Sequence, residues 1–168
     1  MDDKVTNVVF AGLGGQGVVS ASDILAEAAF RAGYDVKKSE LHGMSQRGGS
    51  VSSDVRFGER VWSPMIPDGE ADYLVVLTAD QVEPHRHRLK RGGRLILPAN
   101  VNEASLSSRR SLNVALLGLL GTFLPIPAEE WQAALRTRLP ERLLEANLEA
   151  FQTGRDALDS WNERETAQ

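Results

Sequence analysis

The sequence predicts an α/β fold: an open sheet, mostly parallel with an antiparallel hairpin, followed by C-terminal helices. Three observations carry this. A β-branched run, Val5 to Ala11, ends in glycines and leads into an apolar pattern of helical spacing. Short apolar runs recur at Tyr73 to Thr78 and at Arg94 to Pro98. Beyond about residue 111 the pattern is helical to the end. A chain of 168 residues with 42% hydrophobic and 25% charged residues has the composition of one ordinary globular domain, 1–168. A core that removes roughly 70% of the unfolded chain's surface from water is within reach at this length.

Each element has a local reason. After the first strand, Val18, Ala21, Leu25, Ala28 and Ala29 recur at three- and four-residue spacing, and Gly33 stands where a helix ends. Tyr34 to Ser39 then returns as a second strand, completing a βαβ unit whose crossover is expected to be right-handed. Glycines and serines make Leu41 to Ser50 a loop, and Val51, Val55 and Phe57 alternate with polar residues as a half-exposed strand does. Gly58-Glu59-Arg60 is expected to turn this strand into a hairpin with Val61 and Trp62. A helix is expected between the Tyr73 and Arg94 strands, with Gly92-Gly93 as a turn. Asn100 to Arg110 reads as a long surface loop, after which Leu112, Leu116, Leu119 and Leu120 form an apolar stripe. Pro125 and Pro127 separate that stripe from the last helical segments.

The totals exclude several functions. Net charge is −4, and no basic stripe interleaved with aromatics gives a nucleic-acid footprint. The absence of cysteine removes disulfides, thiolate nucleophiles and iron–sulfur ligation from this chain. The acidic start, MDDKVTNVVF, is not that of a signal peptide, and no apolar run approaches the roughly 20 residues that span a bilayer. The expectation is a cytoplasmic protein with neither nucleic acid nor membrane as partner.

Gly12, Gly14 and Gly17 stand in G-x-G-x-x-G register between strand and helix, with Gly15 beside them. Such glycines allow positive φ and leave no Cβ in the way, so backbone N–H groups can approach an anion at a helix N-terminus. They can equally serve only as a tight turn. A Rossmann-like dinucleotide site also asks for an acidic residue about 20 positions on, where Glu40 is the nearest candidate. Glu40 opens a Gly/Ser-rich loop and not a second crossover helix, which makes a free-standing Rossmann-like NAD(P)-binding oxidoreductase or binding module the alternative reading. His42 has no visible acid partner, and His85 and His87, two apart, do not face each other on a helix. No catalytic residue and no metal ligand is therefore assigned. Asp68, Glu70 and Asp72 read as a solvated turn.

The stretch from Gly12 to Gly58, GLGGQGVVSASDILAEAAFRAGYDVKKSELHGMSQRGGSVSSDVRFG, resembles the gamma-type subunit or domain of the 2-oxoacid:ferredoxin oxidoreductases. Within them it is most similar to the indolepyruvate:ferredoxin oxidoreductase beta subunit. Two segments carry the likeness, GLGGQG at 12–17 and SELHGMSQRGGSV at 39–51. WSPMIP at 62–67 and the C-terminal helices extend it over most of the chain. It is thinnest from Asn100 to Arg110, where a longer segment is expected.

The resemblance implies oxidative decarboxylation of an aryl 2-oxoacid such as indolepyruvate to the acyl-CoA. Thiamine diphosphate and iron–sulfur clusters of the 4Fe–4S type would sit on partner subunits, with ferredoxin or a flavin subunit as acceptor. It leaves coenzyme A binding and subunit assembly to this chain, which would be inactive alone. The implied contact residues are Gly12, Gly14, Gly15, Gln16 and Gly17 with Ser45, Gln46, Arg47, Gly48 and Gly49, since an Arg in a glycine-rich turn offers phosphate a planar bidentate donor. The second segment can instead dock on a partner, with Leu41 and Met44 buried against it.

Overall fold

Thr6 to Leu13 (β1) lies at the centre of a five-stranded sheet, and the computed structural model that shows this describes residues 4–43 and 48–166, with side chains as far as Asn162. The other strands are β2 (Asp35–His42), β3 (Ser50–Gly58), β4 (Ala71–Val76) and β5 (Leu89–Ile96), in the spatial order β2-β3-β1-β4-β5. β3 pairs antiparallel with both β1 and β2, whereas β1–β4 and β4–β5 are parallel. All strands but β3 therefore point the same way, as the mostly parallel expectation requires.

The unbroken apolar run of β1 follows from burial on both faces. Val8 and Phe10 enter the main core with α1 (Val18–Arg31), α3 (Leu112–Gly121), α4 (Ala128–Arg138) and α5 (Glu141–Asp156). Val9 and Ala11 enter a smaller cluster on the other face, with Leu74, Val76, Ile66 and Val82. Residue Val82 begins α2 (Val82–His85), and α6 (Leu158–Thr166) ends the described chain. Gly33, at φ 94°, closes α1 as expected: its N–H donates to Phe30 O, and that of Tyr34 to Ala29 O.

Nearly every residue of α3 is buried, so its sequence, LNVALLGLLG, shows no polar face. α5 crosses it at two glycines. A Cβ on Gly118 would overlap the Phe151 carbonyl, and one on Gly154 the Ala115 carbonyl. The backbones meet there because neither residue carries a side chain.

Several expectations are corrected. The hairpin joins β2 to β3, with β2 running to His42, so Leu41 and His42 are strand and not loop. Val61 and Trp62 form no strand; the segment after Gly58 is strapped across the smaller core instead. Asp54 accepts the Ile66 N–H at 3.1 Å and pairs with Arg88 at 2.7 Å, and Arg56 donates to Ser63 O and Met65 O. These contacts on β3 hold the strap, so it needs no strand pairing. β1 and β2 are not neighbours, because β3 lies between them. Gly92 and Gly93 lie inside β5 at an irregular register, where a Cβ on Gly93 would meet the Ala71 carbonyl at 3.0 Å. Only the short α2 and flanking 3₁₀ turns fill the expected helix before β5, and three 3₁₀ turns organise residues 98–111. Asp72 is not merely solvated: it accepts the Asn7 N–H at 2.8 Å and pairs with Lys90.

Candidate functional site

The loop between β1 and α1 is held from inside. Gln16 N–H donates to Leu13 O at 3.1 Å, and the Gln16 side-chain Oε1 accepts Leu13 N–H at 2.8 Å. Gly15 and Gly17 stand at φ 89° and 84°, a region that side chains disfavour. Gly17 is the N-cap of α1 and contributes no side-chain acceptor, nor is there an acidic residue in the first turn. The unpaired amides and the helix dipole therefore leave a positive end facing outward.

Nothing lies within 4 Å of where a Cβ on Gly15 would be, so the loop opens onto free space there. Gly12 is the reverse case: its Cβ would meet Gln16 Oε1 and Val18 at 2.9 Å, so glycine lets the loop fold back over the strand end. The two predicted segments are joined, since Gly14 N–H donates to Gly49 O at 2.9 Å. Gly48 takes φ 64° beside it. Ser45, Gln46 and Arg47 lie outside the described residues, as does Met44.

A cleft of about 550 Å³ is lined by Gly15, Gln16, Gly17 and Leu77, and on its other side by Arg109, Arg110 and Leu112. The structure thus adds two arginines that the sequence reading left in a polar loop. Neither pairs with a carboxylate within 4.0 Å among the described residues, and both are exposed. Asn113, at the start of α3, closes the floor by donating Nδ2 to Gly17 O at 3.1 Å, and its buried Oδ1 has no partner. Glycine amides, a helix N-terminus and two guanidinium groups that face no carboxylate among the described residues give this cleft a positive lining, the chemistry that suits a polyanion.

The dinucleotide alternative fares poorly in this arrangement. Glu40 pairs in register with Ser53 of β3, and Ser53 with Phe10, so a strand separates Glu40 from the glycine loop's own strand. The hydrogen bond from Lys38 is the main reason its carboxyl is held below the ordinary value. His42 is exposed on the edge strand 3.6 Å from Glu40, and His85 Nδ1 lies 2.9 Å from the carbonyl of Gln81, the N-cap of α2. No group of three metal-ligating side chains occurs among the described residues. Among the same residues no helix is long and apolar enough to cross a membrane.

Residues 7–105 match the sequence profile of the pyruvate ferredoxin/flavodoxin oxidoreductase family. The chain is 34% identical to indolepyruvate oxidoreductase subunit IorB of Thermococcus kodakarensis, over 90% of this chain and 95% of that protein. That alignment is longer than this chain, so the relative carries residues that this one lacks. Among solved structures, the keto/oxoacid ferredoxin oxidoreductase gamma subunit of Geobacter sulfurreducens superposes with a TM-score of 0.77 at 26% identity, covering 90% of this chain and 97% of that one. The fold also recurs, with a TM-score of 0.82 at 22% identity, in 2-oxoglutarate:ferredoxin oxidoreductase of Magnetococcus marinus, a structure with 2-oxoglutarate, coenzyme A and succinyl-CoA bound. It covers 95% of this chain but 32% of that one. The chain therefore belongs to the pyruvate ferredoxin/flavodoxin oxidoreductase family and, like the relatives it matches over nearly their whole length, is a subunit and not a complete enzyme.

Proposed function

We propose that the chain is the non-redox subunit of a cytoplasmic 2-oxoacid:acceptor oxidoreductase that converts an aryl 2-oxoacid of the indolepyruvate kind to its acyl-CoA. Its own part is to bind the phosphates of coenzyme A and to hold the assembly together. The observation that carries the coenzyme A role is the cleft where the N-terminus of α1 faces Arg109 and Arg110. The N–H groups of Gly15 and Gly17 and the two guanidinium groups would hold a phosphate chain, which leaves the thiol arm free to reach a partner's reacting centre. Coenzyme A supplies the thiol that accepts the acyl group. Iron–sulfur clusters belong to partner subunits, because a chain without cysteine brings no thiolate to a cluster, and thiamine diphosphate is assigned to a partner subunit with them. Ferredoxin or a flavin subunit takes the electrons.

An assembly role is supported by the strap, where Trp62 is 83% exposed and Met65 66%, with Leu41 exposed on the edge strand. Large apolar side chains exposed on neighbouring elements are the kind of surface that a partner protein covers. The test is to tag the chain in its native host, isolate it gently and identify what accompanies it by mass spectrometry. Recovery with a thiamine- and iron–sulfur-containing subunit is expected. Recovery as a lone protein would remove the reading.

A further inference from the structure

At the end of the sheet opposite the glycine loop, a cavity of about 420 Å³ opens where β1, β4 and β5 begin and β3 ends. Its apolar wall is aromatic: Tyr34, Phe57, Tyr73 and Phe123 all line it. Tyr34 packs on Phe57 at 5.2 Å between centroids, and Tyr73 stacks on Phe123 at 6.1 Å.

Its charge is unbalanced. Asp72 is already engaged by Lys90 and by the Asn7 N–H, which leaves the cations Lys4 and Arg94 against the exposed rim carboxylate of Glu59. Among the described residues no carboxylate lies within ion-pair distance of Lys4 or Arg94. The Arg94 guanidinium lies 4.5 Å over the Phe123 ring, with Nε shielded from water and without an acceptor. Buried guanidinium N–H groups ordinarily donate, and no protein group takes this one among the described residues. The Tyr73 hydroxyl makes a long contact, 3.4 Å, to Phe123 O and lies against the Arg94 guanidinium, so the two side chains form one polar corner of the cavity. Burial is the main cause raising the pKa of Tyr73, so it stays a neutral O–H donor at neutral pH.

We propose that this cavity binds a small aromatic carboxylate, its ring against Tyr34, Tyr73 and Phe123 and its carboxylate on Arg94 and Lys4. A planar carboxylate matches the guanidinium fork, and the aromatic walls favour a ring over an inorganic anion. The volume suits a one- or two-ring acid and is at the small end for ligand cavities. The inference does not rest on the coenzyme A reading, since the two sites occupy opposite ends of the sheet.

The chain has two tyrosines, and both line this cavity, so fluorotyrosine labelling reports on it alone. The labelled full chain, free and reassembled with its partner subunits, would be titrated with phenylacetate, with acetate and phenylacetamide as controls, by fluorine NMR. Phenylacetate is expected to shift both signals saturably, while acetate and phenylacetamide do not. Arg94→Gln should weaken binding about tenfold and Lys4→Gln several-fold, a scale set by losing one charge-assisted contact. If Arg94→Gln does not fold, Lys4→Gln decides. No saturable shift, equal binding of the amide, unchanged affinity in Lys4→Gln, or loss of the response on reassembly would each overturn the proposal.

Discussion

Asn113 Nδ2 donates to Gly17 O at 3.1 Å and occupies the space that a side chain on Gly17 would need. This contact fixes the start of α3 against the N-cap of α1, on the sheet face where both helices share the main core.

Gly17→Ala must pay for both φ 84° and overlap with Asn113, and should destabilise the fold by about 2–4 kcal/mol. Asn113→Ala alone loses a hydrogen bond, about 1 kcal/mol. In the double variant the overlap is gone, so the summed effects should exceed the measured one. Urea unfolding of the four proteins checks this; strict additivity would show that Asn113 does not press on the cap.

Gly118→Ala should cost about 3 kcal/mol or more, because the added methyl meets the Phe151 carbonyl and only separation of α3 and α5 relieves it. Gly33→Ala meets no neighbour and should show only the cost of its positive φ, about 1–2 kcal/mol. A thermal melt with Gly118→Ala no lower than Gly33→Ala would contradict the close crossing.

These crossings also show where sequence reading stops. Periodicity made β1, α1 and the C-terminal helices legible, because each follows from local spacing. Strand order did not follow. β3 inserts between β1 and β2, and nothing in the βαβ-like pattern from Val5 to Ser39 encodes a later strand taking that place. Gly92 and Gly93 read as a turn because glycine usually punctuates, yet Gly93 serves close approach to the Ala71 carbonyl inside β5. The glycine loop was visible as a motif. Arg109 and Arg110 were not, since their relation to Gly15 depends on the turn before α3 and has no spacing rule.

Asp35 accepts the Val61 N–H at 2.8 Å, and that hydrogen bond is the main cause lowering its pKa from 3.8. A carboxyl whose folded pKa lies below its unfolded value adds stability above the unfolded value, and loses it as pH falls through the folded one. The gap in unfolding midpoint between the parent and Asp35→Asn should therefore be constant near neutrality and close below pH 3.8. A gap that widens with acid would refute the assignment.

Trp62→Ala with Met65→Ala should leave stability within about 0.5 kcal/mol, since both side chains are largely in solvent. The same pair should weaken association with the partner subunit by about tenfold or more if the strap is the interface. Analytical ultracentrifugation of the reassembled enzyme reads this directly, and unchanged assembly would move the interface elsewhere.

The most direct measurement is calorimetric titration of the assembled enzyme with coenzyme A, comparing the parent with Arg109→Gln, Arg110→Gln and the double variant. Each exposed guanidinium should contribute about 1 kcal/mol, so the double variant should bind roughly 30-fold more weakly, and the loss should shrink in high salt. Decarboxylation on the partner subunit should be retained. An affinity for coenzyme A unchanged in the double variant would contradict the placement of its phosphates at the N-terminus of α1.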